Sequence, residues 1–353
     1  MEPLLKNTIP PFIEVILKGY GQTLICPNCI TGVFVLLAIF FISPQTCLLT
    51  FIGASFSTLT ARLIGARPLH IHSGCYGFNG IVLGIAWPWF IKLNATSIMI
   101  LVLFSAISSV LLKYLIDQSS RTRFHLPIFS IPSVILIWLI FILLLFVPSW
   151  ELLKGPDQRI IEYVRDYQCH VLRLDNKQWT NLTLNMYWDT FKIHLWIIIL
   201  LTVGIFRHSR VSAAIAVTTV LLTIIMVHAT GGISEFRYID IYLYNTVPCG
   251  LALGGNFLVF NRKVCLMTLC TIVLIIGTVY IGLHILQFPI FVAAFNLFTI
   301  MSIWLVKNNI LKKAHGFYAV PMELIFSPES AMNWQKGEIY AQNFWKEIER
   351  SWS

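Results

Sequence analysis

A chain of 353 residues that is 57% hydrophobic and only 12% charged, with a mean hydropathy of +0.76, reads as a polytopic membrane protein. Its net charge of +9 is scattered over span ends without a basic stripe, which argues against nucleic acid as a partner and for orientation in a bilayer. H-E-x-x-H, G-x-S-x-G and P-loop signatures are missing, so an enzyme is not expected.

The N-terminus carries Pro3, Pro10 and Pro11 and enters the membrane region without a small-residue cleavage site, so the first spans are expected to direct insertion. Residues 11–25 are too short and too polar to cross a bilayer, and too apolar for a free tail; a tilted or re-entrant half-helix is predicted. Apolar runs ended by Pro, Gly or charge then predict spans at about 30–42, 46–61, 76–91, 96–116 and 126–147. A more polar stretch follows, and further spans are predicted at about 191–206, 211–229, 241–260, 264–286 and 288–306. The expected organisation is therefore all-α: a first half over 1–147, an outer linker over 148–190, a second half over 191–306 and a tail over 307–353.

With the N-terminus inside, the inner joints gather Lys6, Lys18, Arg62, Arg67, Lys113, Arg121, Arg123, Arg207, Arg210, Arg262, Lys263, Lys307, Lys312 and Lys313, whereas the short outer joints hold only Lys92 and Arg237. That asymmetry predicts both termini in the cytosol and an even number of crossings. The sequons at Asn94 and Asn181 fall on the outer side and are candidate glycosylation sites, with the plasma membrane as the expected location. Five spans on each side of the linker would insert the second half upside down relative to the first.

Eight cysteines include the C-x-x-C of Cys26 and Cys29. With no second C-x-x-C and no thioredoxin-like pattern they read as packing residues. His70 and His72 lack further ligands at metal-site spacing, His228 and His284 read as interfacial, and Glu14 is the one acid of the half-helix. No metal or cofactor is expected.

One stretch stands out. Ser73-Gly74-Cys75-Tyr76-Gly77-Phe78-Asn79-Gly80 continues to Gly84 with glycines and one amide that are expected to interrupt the span. It is echoed by Tyr242-Leu243-Tyr244-Asn245, again running into small residues. Two broken segments in corresponding positions point to a site near the membrane midplane. A second echo is His125-Leu126-Pro127-Ile128-Phe129 with Gln287-Phe288-Pro289-Ile290-Phe291, each expected to open the last span of its half.

At these residues the chain resembles the urea transporters. The resemblance rests on Gly19-Tyr20-Gly21-Gln22 with Asn28 and Thr31-Gly32, on Tyr76-Gly77-Phe78-Asn79-Gly80, on Leu126-Pro127-Ile128-Phe129-Ser130-Ile131-Pro132 and on Leu251-Ala252-Leu253-Gly254-Gly255. It implies ten transmembrane helices and two half-helices in inverted halves, a slot-shaped pore in each protomer, a homotrimer in lipid, and passive passage of urea. By the same resemblance Gln22 would stand at one pore mouth, Phe78 would form a face of the slot with Val82 along it, Asn79 would tie down the broken backbone, and Ser130 would take a central Thr position. In the second half Asn245 answers Asn79.

The chain departs from the family pattern at several of these places. Ile25 replaces the aromatic that should face Phe78, and the candidate second half-helix, with Met186 and Trp188 beside it, offers the shorter Asn185 in place of a Gln or Glu. Tyr244 stands at the second ring, Pro248 at an aliphatic lining position and Val292 at the second central Thr. These departures keep open a channel for other small amides or ammonia, or a non-conducting paralogue. An ion-coupled transporter is disfavoured by the scarcity of charges at span centres.

Overall fold

The structure, a computed structural model, describes residues 11–91, 93–122, 125–146, 196–231, 238–258, 260–286 and 290–308. Among the described residues every regular element is a helix. Helix α1 (Phe12–Gln22) starts behind Pro11 and carries the Lys18–Glu14 ion pair at 2.6 Å on its polar side. Its other face buries Val15, Ile16, Gly19 and Tyr20. At 1.5 Å per residue it is about 16 Å long, half the thickness of a bilayer core. The chain then reverses through Ile25, whose backbone is left-handed (φ 55°), and Asn28 caps α2 (Cys29–Ile42) by accepting from the Ile30 N–H at 2.8 Å. Cys26 and Cys29 thus flank a turn and a helix start, and both thiols are free.

Ser43 caps α3 (Pro44–Leu63), with Pro44 in the first turn where its missing N–H costs nothing. After α4 (Pro68–His72), Gly74 turns the chain at φ 78° into α5 (Cys75–Phe90). Helix α5 is continuous, so the glycine-rich stretch does not break the span as the sequence suggested. Instead, its glycines are a contact face: a Cβ on Gly80 would overlap the Gly53 carbonyl of α3, and one on Gly84 would meet the Thr50 backbone. Small residues let helix backbones approach when lipid tails are as apolar as any side chain. Hydroxyls then tie the packed helices. Ser57 donates to the Tyr76 carbonyl (2.8 Å) and meets Ser109 (2.7 Å) of α6 (Ala95–Arg121), while Ser109 donates to the Ser57 carbonyl. Asn94 and Ser97 form a capping box on α6, which occupies the Asn94 side-chain oxygen.

Helix α7 (Ile131–Phe146) begins later than the residue 126 expected. The Leu-Pro-Ile-Phe run lies before it as non-helical chain, with His125 (φ 41°) and Phe129 (φ 46°) left-handed. Downstream, α12 (Ala293–Lys307) likewise follows a left-handed phenylalanine, Phe291 at φ 50°, with 290–292 non-helical, while the expected start at 288 lies outside the described residues. Between these lie α8 (Trp196–His208), α9 (Arg210–Gly231), α10 (Ile239–Leu251) and α11 (Arg262–Ile281). Helix α10 continues into a π-turn, Ala252–Asn256, and α11 into another, Gly282–Leu286, where the His284 ring packs on Tyr280. The predicted span 241–260 therefore holds a shorter α-helix than expected. The echo Tyr242–Leu251 is, like α5, unbroken helix.

By length and composition, Pro44–Leu63, Ala95–Arg121, Arg210–Thr230 and Arg262–Leu286 can cross a membrane, and several shorter apolar helices accompany them. This is an all-helical membrane protein. The N-terminal and C-terminal sets share one apolar core, in which Tyr20, Ile25 and Val35 pack in a single cluster with Val227, Leu251, Ile275 and Phe295. Polar contacts cross between the sets as well: Thr31 donates to the Gly204 carbonyl at 2.9 Å, and Lys307 to the His125 carbonyl at 2.9 Å. Thr31→Val keeps the shape of the side chain and removes that donor. It should cost about 1 kcal/mol, read as a small drop in the thermal midpoint of the purified protein.

Candidate functional site

One left-handed phenylalanine and one buried asparagine make a constellation that occurs twice. Asn79, one turn into α5, donates from Nδ2 to the Cys75 carbonyl (3.2 Å) and to the Phe129 carbonyl (3.1 Å). Its Oδ1 accepts from the Ser133 hydroxyl (2.6 Å) and from the Ser133 N–H (3.4 Å). Asn245 of α10 repeats this on the other set. Its Nδ2 donates to the carbonyls of Ile241 (2.8 Å) and Phe291 (2.6 Å), and its Oδ1 accepts from the Phe295 N–H (2.9 Å). Both side chains are fully buried. Each amide spends its donors on one helical carbonyl and one carbonyl of the left-handed lead-in, and its oxygen on the first turn of the following helix. A left-handed backbone cannot complete helical bonds with its neighbours, so an external partner is needed.

The two lead-ins meet at Ser130 and Asn296. Ser130 is fully buried, and Asn296 is 4% exposed. The Asn296 Nδ2 donates to the Ser130 hydroxyl and to the Val292 carbonyl, each at 2.9 Å, and Oδ1 accepts from the Ser130 N–H at 3.2 Å. Phe129 packs against Phe295 (5.0 Å between centroids) and edge-on to Phe257 (5.3 Å). Asn256, at the end of the α10 π-turn, donates to the Ile25 carbonyl at 2.7 Å and so fixes the left-handed reversal after α1. Neither Asn256 nor Asn296 was among the expected site residues. The available signal was a lone amide inside an apolar run, which is costly unless partnered.

The expected site residues divide as follows. Asn79, Ser130, Asn245 and Val292 come together around the two lead-ins. Gln22 ends α1, and its amide reaches the Cys75 thiol at 3.6 Å, one turn before Asn79. Phe78 and Ile25 are buried, Val82 is half-buried against the apolar cluster that includes Leu49, Leu101 and Leu136, and Tyr244 is 49% exposed. Pro248 is buried inside α10, where it has no N–H to offer the Tyr244 carbonyl one turn back. Asn185, Met186 and Trp188 lie outside the described residues, as does Asn181. Among the described residues there is no cluster of His, Cys, Asp and Glu able to hold a metal ion.

A family model described as "Urea transporter" matches residues 13–308. The chain belongs to the urea transporter family. Similar curated relatives include Urea transporter 1 of Mus musculus, 29% identical over 138 residues (36% of this chain and 33% of the relative). Urea transporter 1 of Ovis aries is 27% identical over 132 residues, covering 34% of this chain and 32% of the relative. Each aligned stretch thus spans about a third of the curated relative.

Proposed function

We propose that this protein conducts urea passively across the membrane, through a pathway that runs between the two amide-braced lead-ins. Family membership supports it together with one observation: a polar junction, Ser130 with its neighbours, held by two matching braces inside the helical core. Urea is planar and neutral, and stripping its water in a bare apolar slot would cost several kcal/mol. Hydroxyl and backbone groups along one wall can stand in for that water. Phe78 forms one face of the slot, Val82 extends it, Gln22 guards one mouth and Tyr244 takes the position of the second ring. Ten spans and two half-helices in inverted halves, cytosolic termini and a plasma-membrane homotrimer complete the proposal.

Stopped-flow light scattering on proteoliposomes with inward gradients of urea, acetamide, formamide and glycerol is the test. Urea entry above that of protein-free vesicles, saturable or not and indifferent to sodium or proton gradients, is the expected result. Dependence on either gradient would replace the channel with a coupled transporter. Gln22→Ala, which removes one polar contact, should slow urea entry roughly two- to tenfold, the equivalent of one hydrogen bond. The variant's elution profile should match that of the parent protein.

A further inference from the structure

The junction between the lead-ins is already filled. The Asn296 carboxamide uses both of its N–H groups, on the Ser130 hydroxyl and the Val292 carbonyl, and its oxygen on the Ser130 N–H, with the Ser130 Oγ a further 3.3 Å contact. Its environment is closed: Ser130 shows no exposed surface and Asn296 only 4%. We propose that Asn296 is a tethered competitor for the solute, occupying with its own amide the central station that urea must take. This rests on the proposed conduction of urea.

The chemistry carries the inference. An asparagine side chain ends in O=C–NH2, the same hydrogen-bonding unit that urea presents, with two donors on nitrogen and two lone pairs on oxygen. The groups that Asn296 engages are one backbone N–H, one hydroxyl and one backbone carbonyl. If the side chain leaves, those three groups form a ready set for a urea carbonyl and a urea N–H. The arrangement also explains how a valine is accommodated at 292. In the N-terminal set the hydroxyl of Ser130 is followed one turn later by Val134, whereas in the C-terminal set Val292 is followed one turn later by the amide of Asn296. The polar and apolar positions are exchanged, and the amide reaches the hydroxyl on the other lead-in. Asn296 differs here from Asn79 and Asn245, whose donors go only to backbone carbonyls.

The consequence is that shortening this side chain speeds transport. Full-length wild type, Asn296→Ala and Asn296→Ser are reconstituted at equal protein content, checked by elution profile, and assayed for urea and acetamide entry by stopped flow. Asn296→Ala is expected to raise urea entry about tenfold, equivalent to roughly 1.4 kcal/mol removed from the barrier. Asn296→Ser, which retains a hydroxyl but cannot span the junction, should raise it as well. A wild type at the vesicle baseline with a conducting Asn296→Ala supports the proposal in its strongest form. Folded variants no faster than a conducting wild type would overturn the competitor while leaving urea conduction intact. Failure of both variants to fold would make Asn296 a third brace and overturn it too. No entry above baseline in any of the three, all folded, would remove the conduction reading along with it.

Discussion

Asn79→Ala should leave a protein that cannot hold its fold at working temperature. The substitution strips the part-buried Phe129 carbonyl of its donor and the buried Ser133 N–H of its acceptor. The Cys75 carbonyl stays within its helix, and the Ser133 hydroxyl retains the Asn79 carbonyl at 2.9 Å. Two orphaned backbone groups at about 1–3 kcal/mol each give a loss of about 2–6 kcal/mol, comparable with the whole stability of many domains. Heating detergent-solubilised protein and following its monodisperse elution peak measures this. Ser133→Ala, which leaves the backbone bonds in place, should cost far less. Asn245→Ala should behave like Asn79→Ala, because it deprives the Phe291 carbonyl and the Phe295 N–H in the same way. Equal stability of Asn79→Ala and Ser133→Ala would show that the brace is unimportant.

Gly80→Ala should be nearly as damaging although it adds a single methyl group. That carbon would overlap the Gly53 carbonyl and lie 2.8 Å from the Ala54 nitrogen. Every obstructing atom is backbone, so no rotamer change relieves it and α3 must move away from α5. Separation would also strain the Ser57–Ser109 and Ser57–Tyr76 contacts behind it. A cost of at least about 3 kcal/mol is expected, the upper part of the range for overpacking. Gly277→Ala is the matched control, since a Cβ there meets nothing within 4 Å. In mid-helix it should stabilise the protein by about 0.5–1 kcal/mol. Opposite shifts of the thermal elution profile in the two variants are the expected outcome.

The helices were readable from their apolar runs because bilayer length and composition leave little choice, and α1 was recognisable as a helix too short to span for the same reason. Asn28 entered only through the family resemblance, although its cap on α2 is what its residue type favours. The glycine-rich stretch misled. Glycines in a helix signal either a break or a close neighbour, and only the position of Gly53 decides between them. The start of α7 was placed too early because a proline commonly opens a helix. Here the turn is instead taken by a phenylalanine, a residue type whose left-handed conformation leaves no mark in composition. Asn296 was missed because its partner Ser130 lies 166 positions away.

Those left-handed residues bear on what selection has had to maintain. Glycine would adopt φ near 50° without penalty, whereas a side-chain-bearing residue pays about 1–2 kcal/mol for it. Ile25, Phe129 and Phe291 each accept that cost beside the junction. At Phe129 the ring recovers it by packing between Phe257 and Phe295. Mutational drift toward glycine would therefore be favoured by the backbone and opposed by the core at the same codon. Such a position has few acceptable exits, and sequence change in this protein should accumulate on the lipid-facing helix surfaces while the lead-ins stay still.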